Sequence, residues 1–541
     1  MGLGRMLGSL LSFAVIVVTA QSSRCKPIPG DEQWPAEASW GALNETLGGR
    51  LIATIPVGSV CHSGGDFDGH YNVTECVILR SVWNYAQAHY SINVEGAEDV
   101  IAGIEFAKAN DVRLVIKNTG HDYLGKSTGK GGLALWTHNL KSTEIIKNYE
   151  SDYYNGPALK LGAGVQGWEA YTVANDNGYM VVGGTCSTVG IAGGYTMGGG
   201  HSTLSSLYGL SADNVLEWEV VTAEGEHLIA SPVENQDLYW ALSGGGGGTF
   251  GVVLSMTTRL HKDRPIGGAH LQFNDDEVGH DAFWEAIGAF HSILPPILAQ
   301  ETSMLYSIYN NSFSIFSLTA AEKSTTQVLE LLQPLFDELD QRGVPFAVQA
   351  NETPNFLEHF VGDFGPLPYG FFSAGQVTSS RLIPRSVFQD PEANAAVTQV
   401  LREGTASGDF FFACQALDLS KNVSVAANAV LPAWRAAASH CIVVGLWDFT
   451  GPREKMEAME GELTDGISPR LEAATPGSGT YLNEANFRQK DFQGHFYGEN
   501  YEKLVEIKRK YDPDGVFYAV TAVGSEAYEE DEDGRLCRTA S

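Results

Sequence analysis

The chain has 541 residues, 43% of them hydrophobic, a formal net charge of −31 and an isoelectric point of about 4.7. That length predicts two or more domains around a large buried core. The negative charge repels nucleic-acid phosphates and anionic membrane surfaces, which argues against both as partners.

Residues 1–20 read as a secretory signal peptide, with Arg5 ahead of the apolar run Leu7 to Ala20 and the small-residue pattern Val18-Thr19-Ala20 at its end. The run is too short for a comfortable membrane span. Sequons begin at Asn44, Asn72, Asn310, Asn351 and Asn422, so a secreted protein carrying glycans at some of them is expected. The cysteines are Cys25, Cys61, Cys76, Cys186, Cys414, Cys441 and Cys537. Seven is odd, so at least one has no intrachain partner, while six can form three disulfides in an oxidising compartment. Cys61 with Cys76 is the first pairing expected, because both lie in one local segment. No zinc-finger spacing occurs, and no metal site is expected.

After an N-terminal segment, 21–90, apolar residues at Val100, Ile104 and Ala107 predict a helix over Glu98 to Asn110. Val112, Leu114 and Ile116 alternate like a strand and lead into the loop Lys117 to Tyr123. Strands are predicted around Leu133 to Trp136 and Ala158 to Leu161, and a helix over Trp168 to Asn175. Between the last two, Gly162-Ala163-Gly164-Val165-Gln166-Gly167 matches the Gly-x-Gly-x-x-Gly dinucleotide fingerprint. The acidic residue that should follow about twenty positions on is missing, which argues against a nicotinamide site. Gly183 to His201 is nearly half glycine yet too apolar for a linker, and suits backbone crowding around a planar or anionic ligand. Five glycines, Gly244 to Gly248, precede a buried strand over Phe250 to Arg259. Past Lys262 the glycines thin, which marks a second domain running to about Pro476. A helix over Asn500 to Lys510 buries Leu504, Ile507 and Tyr511 and stops at Asp512-Pro513-Asp514-Gly515. The acidic run Glu529 to Asp533 is expected to be a solvated, mobile tail.

Four motifs then stand in order: Asn118-Thr119-Gly120-His121-Asp122; Gly184-x-Cys186-x-Thr188-Val189-Gly190; Gly198-Gly199-Gly200-His201; and Tyr481-x-Asn483 followed by Tyr511-Asp512-Pro513-x-Gly515-Val516-Phe517. Together they resemble the vanillyl-alcohol oxidase / p-cresol methylhydroxylase flavoproteins, in the fungal berberine-bridge-enzyme-like branch. The resemblance implies an α+β fold: a two-subdomain FAD-binding domain of the p-cresol methylhydroxylase type (91–265), a substrate domain with an antiparallel sheet backed by helices (266–475), a segment returning to the FAD domain (476–525) and the acidic tail (526–541).

It also implies FAD attached at two points, His121 to the flavin C8 methyl group and Cys186 to C6. Imidazole and thiolate are nucleophilic enough to add to an electron-poor ring, and Cys186 accounts for the odd cysteine. The implied cofactor contacts are the amides of Asn118, Thr119, Gly120 and His121 at the pyrophosphate and Thr188, Gly190, Gly193 and Gly194 along the ring and ribityl chain, with Asp122, Val189 and His201 also counted among the cofactor-binding residues. Val252 and Val253 are expected either near the adenine or simply packed within their strand. The implied reaction is hydride transfer from an alcohol, sugar or specialised metabolite, with O₂ as acceptor. Val189 stands where relatives that react with O₂ often carry a small aliphatic residue. Tyr481 is a candidate base, provided that a positive charge or a hydrogen-bond network lowers its pKa, or else packs on the substrate or the ring; Asn483 and Glu484 are further polar candidates and His201 a structural hydrogen-bonder. Partners are a small-molecule substrate and O₂, and a monomer is expected. A flavoprotein cyclase and a non-catalytic secreted binding protein remain as alternatives.

Overall fold

The computed structural model describes residues 25–55, 87–368, 375–421, 423–448 and 451–539. The signal-peptide segment, the Cys61–Cys76 pairing and the sequons at Asn72 and Asn422 lie outside the described residues.

Three sheets organise an α+β chain. The first holds β1 (Leu51–Ala53), β2 (Tyr90–Asn93), β3 (Leu114–Lys117) and β4 (Leu133–Trp136) in the order β1-β2-β4-β3, with β4 parallel to both β2 and β3. The predicted helix, Ala97–Asn110, crosses between β2 and β3. Glu98 and Asp99 in its first turn suit the positive end of the helix dipole. It packs Val100, Ile104 and Ala107 on the sheet. A Cβ at Gly103 would come within 2.6 Å of Leu135, so the helix can lie this close only with glycine there.

The second sheet is antiparallel and joins β5 (Thr143–Glu150), β6 (Asn155–Gly162), β8 (Val215–Val221), β9 (His227–Ala230) and β10 (Val252–Arg259) in the order β5-β6-β10-β8-β9. A two-stranded pair, β7 (Tyr179–Met180) with β11 (His261–Lys262), lies outside it. Central β10 is buried along nearly its whole length, as its apolar run predicts.

The third sheet has seven antiparallel strands: β12 (Ile266–Asn274), β13 (Ser303–Ile308), β14 (Ser312–Ala321), β15 (Phe346–Thr353), β16 (Gln376–Pro384), β17 (Phe410–Ala416) and β18 (Ala437–Leu446). Their order is β15-β12-β14-β13-β17-β18-β16. One face packs on the helices His280–Leu298, Thr325–Arg342 and Pro391–Thr405 through Tyr306, Phe313, Phe412 and Val443. Because side chains alternate along a strand, Phe411, Ala413, Gln415, His440, Ile442 and Val444 point the other way and roof a cavity. The Cys414–Cys441 disulfide joins directly paired residues of β17 and β18, one rung from the Gln415–His440 pair.

The C-terminal segment returns to the first two sheets. Helix Tyr501–Tyr511 buries Leu504, Ile507 and Tyr511, as predicted. Beside them Lys508 is also buried: its Nζ donates to the carbonyls of Thr249 (2.8 Å) and Phe517 (2.7 Å) and to Asp512 (2.5 Å). Asp512 in turn accepts from the amides of Val516 and Phe517, and Phe517 bridges Leu114 of β3. One ammonium therefore joins the glycine-rich loop, the last turn and the first sheet.

The expectation of a mobile acidic tail is corrected. Strands β19 (Tyr528–Glu530) and β20 (Leu536–Arg538) form a hairpin. Leu536 and Cys537 are buried, Cys537 is bonded to Cys25, and Arg535 pairs with Asp31 at 2.8 Å. The segments around Cys25 and Cys537 hold each other, so local charge density did not decide the outcome.

Lys508→Met is expected to leave Asp512 buried without its counter-charge and to destabilise the fold by about 3–5 kcal/mol. Urea unfolding followed by tryptophan fluorescence measures this; a loss well under 1 kcal/mol would contradict the linking role.

Candidate active site

The loop after β3, the glycine-rich stretch after β7, the start of β10 and the segment after Pro476 enclose a cavity of about 790 Å³. Of the residues singled out in the sequence, it is lined by Asn118, Thr119, Gly120, His121, Asp122, Cys186, Thr188, Val189, Gly190, Gly193, Gly194, Val253, Tyr481 and Asn483. His201 lies instead on a second cavity of about 700 Å³ beneath the seven-stranded sheet. Tyr123, Cys186, Val189, Tyr195, Gln376 and Glu484 border both. Of the two valines, strand alternation sends Val253 to the cavity and turns Val252 into the core with Leu254 and Val221, which favours the packing role for Val252.

Thr188 carries the central contact. Its Oγ1 is 2.9 Å from His121 Nε2 and 3.8 Å from Cys186 Sγ. Cys186 is the free cysteine among the described residues. Burial pushes the His121 imidazole below its ordinary value, which favours the neutral, nucleophilic form. Burial pushes the Cys186 thiol up, against the hydrogen bonding of Thr188, and the charge of Glu484 adds to the rise. At neutral pH this cysteine is a thiol and must lose its proton to act.

Asn118 fixes the approach of the glycine-rich stretch. Its Nδ2 donates to the Ala163 carbonyl at 2.6 Å, while its Oδ1 is buried with no protein partner. A Cβ on Gly190 would stand 2.6 Å from that oxygen. Asp122 accepts from the amides of Leu124 and Lys126, both at 2.9 Å, so it folds its own loop. The Gly162–Gly167 fingerprint has another purpose: a Cβ at Gly162 would meet the Leu140 carbonyl at 2.4 Å, and one at Gly164 would overlap that of His138. These glycines let backbones pack, and only Ala163 of the six faces the cavity. Of the run Gly244 to Gly248, Gly247 and Gly248 face it.

The hydrogen-bond half of the condition attached to Tyr481 as base is present, since Asn483 and Gly200 both lower its pKa, but it does not offset burial. Burial raises its phenol well above the ordinary value, and Glu484 raises it further. It accepts from Asn483 Nδ2 at 2.8 Å, and the same amide reaches the Gly194 carbonyl at 2.9 Å. Tyr481 is a phenol that keeps its proton, and Asn483 is a clamp between the two segments.

The sequence reading missed the surroundings of Glu484. His201 Nε2 lies 3.0 Å and His440 Nδ1 3.5 Å from the same carboxylate oxygen. Gln415 donates its amide to the Ser202 carbonyl at 2.6 Å, which leaves its Oε1 to accept from His201 Nδ1. With that nitrogen protonated, one more proton must lie between His201 Nε2 and the carboxylate. Burial opposes charge on His201, yet Glu484 and Gln415 outweigh it and raise its pKa. Burial likewise opposes charge on Glu484, and His201 overcomes it, lowering that pKa. Burial takes His440 down to about 3, so it is neutral. Gln415 and His440 stand alone in the sequence; only the register of β17 against β18 brings them together.

This fold and a glycine-walled cavity with an imidazole and a thiol on one hydroxyl define the class of FAD-linked oxidoreductases. The family profile described as "FAD binding domain" matches residues 88–231, and that described as "Berberine and berberine like" matches 480–524. The VAO-type flavoprotein oxidase VAO615 of Thermothelomyces thermophilus is 47% identical, over 98% of this chain and 100% of that one. The crystal structure of MtVAO615 at pH 5.0, from Myceliophthora thermophila C1, superposes with a TM-score of 0.91 over 95% of this chain and all of that one, at 47% identity. The bifunctional decalin synthase calF of Penicillium decumbens is 46% identical over 98% of both chains. The glucooligosaccharide oxidase of Acremonium strictum shares the fold, with a TM-score of 0.69 at 19% identity over 89% of this chain and 99% of that one. The chain belongs to the VAO-type, berberine-bridge-enzyme-like family of FAD-linked oxidoreductases.

The His201–Glu484 pair has a signed pH dependence. Glu484's contribution to stability is present above the ordinary carboxylate pKa and is lost as pH falls through its lowered value. His201's is full below the ordinary imidazole pKa and is lost as pH rises through its raised value. The difference in melting temperature between the protein and Glu484→Gln should therefore be largest between the two ordinary values, 4.5 and 6.5, and shrink on both sides. A difference that does not change with pH would contradict the ion pair.

Proposed function

We propose that this chain is a secreted oxidase whose FAD is held by two covalent bonds, through His121 and Cys186, and which oxidises a small molecule at the expense of O₂. The carrying observation is that His121 Nε2 and Cys186 Sγ meet on the Thr188 hydroxyl in the wall of one cavity. The residues present fit the cofactor: close-approach glycines at Gly190 and Gly193, a buried Asn118 Oδ1 without a protein partner, and a neutral imidazole beside a free thiol. The Acremonium strictum oxidase is described as carrying a 6-S-cysteinyl, 8α-N1-histidyl FAD, which supports the same assignment for this chain.

Bound FAD supplies the two-electron acceptor. Around it, Thr119, Gly120 and Asp122 shape the loop beside His121, and Thr188, Val189, Gly193 and Gly194 form the facing wall. Asn483 keeps Tyr481 and Gly194 in register. Tyr481 offers its hydroxyl proton as a donor, in place of the basic role expected for it. Secretion is supported by the signal-like N-terminus and by the Cys25–Cys537 and Cys414–Cys441 disulfides. Of the sequons, Asn351 lies exposed on β15 and suits glycan attachment.

A cyclase is the second reading, favoured by the decalin synthase relative. A screen over oligosaccharides, primary alcohols and polyketide-like compounds separates the two: an oxidase releases one peroxide per substrate consumed, whereas a redox-neutral cyclase consumes substrate with none.

Acid precipitation of the wild type should leave its yellow colour in the pellet. His121→Ala and Cys186→Ala should each keep acid-stable flavin through the remaining bond, and the double variant should release all of it. A folded single variant that releases all its flavin would contradict two independent attachments.

A further inference from the structure

The second cavity deepens this reading by defining what it accepts. Its roof is the face of the seven-stranded sheet turned away from the helices. Phe316, Phe411, Ile442 and Val444 from that face, with Leu305 and Met459, make apolar walls. At the mouth, Tyr309 is 43% exposed and stacks on Phe411 with ring centroids 4.8 Å apart, a flat aromatic ledge. Lys455 and Asp409 face each other there at 3.9 Å, both exposed.

The polar groups deeper in are mostly committed to one another. Gln415 is bound to the Ser202 carbonyl and to His201, and His201 to Glu484. Tyr123, 43% exposed on the boundary between the two cavities, accepts from Gln376 and keeps its own hydroxyl proton available. The Glu484 carboxylate keeps 21% of its side-chain surface accessible on the boundary between the two cavities, the Nε2 of His440 is buried and unpartnered, and Thr185 and Asp448 add two further polar side chains to the lining. An oligosaccharide brings many hydroxyls, and these walls would strip their water without returning hydrogen bonds, at a cost for each group. An apolar ring system with one hydroxyl loses nothing at the walls and gains a charge-assisted hydrogen bond at the carboxylate.

We propose that the second cavity binds an apolar, ring-bearing molecule that presents a single hydroxyl to Glu484, and that it rejects oligosaccharides. That this molecule is the substrate rests on the oxidase reading; the binding itself does not.

The test uses the purified holoenzyme, with calorimetry and the perturbation of the 450 nm flavin band as readouts. The probes are 2-naphthol, 2-methoxynaphthalene, which has the same body without the donor, and cellobiose. The expected order is 2-naphthol at least tenfold tighter than 2-methoxynaphthalene, with no cellobiose binding at the same concentrations. Glu484→Gln should weaken 2-naphthol at least tenfold and leave 2-methoxynaphthalene within twofold, while keeping acid-stable flavin as evidence of folding. Ala413→Trp, which fills the cavity from its roof, should weaken both aromatic probes; Ile442→Trp serves if that variant does not fold. Three results would each overturn the proposal: cellobiose binding as tightly as 2-naphthol, equal 2-naphthol affinity in Glu484→Gln, or no binding of either aromatic probe. A colourless wild type would sink the oxidase reading instead, and calorimetry would still report on the cavity.

Discussion

The hydroxyl of Thr188 is the point on which the site depends. It holds the imidazole of His121 and the thiol of Cys186 on one wall, although 67 residues separate His121 from Thr188. Bringing those segments together requires close backbone approach. Asn118 reaches across to Ala163, and the stretch after β7 passes so near Asn118 that Gly190 and Gly193 have no room for a Cβ. The third segment is tied in by the amide of Asn483, bonded to the Gly194 carbonyl and the Tyr481 hydroxyl. Lys508 anchors the glycine-rich loop whose Gly247 and Gly248 complete the wall.

The seven-stranded sheet contributes through its alternation. One set of side chains makes a helix-backed core, and the other roofs the second cavity. The same pleat that buries Cys414 and Cys441 as a disulfide presents Gln415 and His440 toward Glu484. Structure and chemistry are thus coupled rung by rung: a slip of one residue between β17 and β18 would separate Gln415 from His440 and remove the fixed amide that orients His201.

Much of this was legible in the sequence, because it is local. Helical spacing located Ala97–Asn110 and Tyr501–Tyr511, the apolar run located β10, and glycine density marked the cavity wall. Motif context placed His121, Cys186 and Thr188 on one cavity. What failed depends on long-range contacts. Five acids in a row predict a mobile tail, but a disulfide to Cys25 and the Arg535–Asp31 pair hold it in a hairpin. Val252 and Val253 are equivalent as letters, and only the pleat decides which meets the cavity. Tyr481 stands where a base was expected; the hydrogen bond from Asn483 that lowers its pKa is present, but burial and Glu484 outweigh it. The pairing of Gln415 with His440 has no sequence signal, since strand register is set by the whole sheet.

Attachment of the cofactor through both His121 and Cys186 is tested most sharply by peptide mass spectrometry of the acid-precipitated, protease-digested protein. The predicted result is one yellow species in which the His121 peptide and the Cys186 peptide are joined through a single flavin. Recovery of flavin on one of these peptides alone, with the other at its unmodified mass, would contradict it.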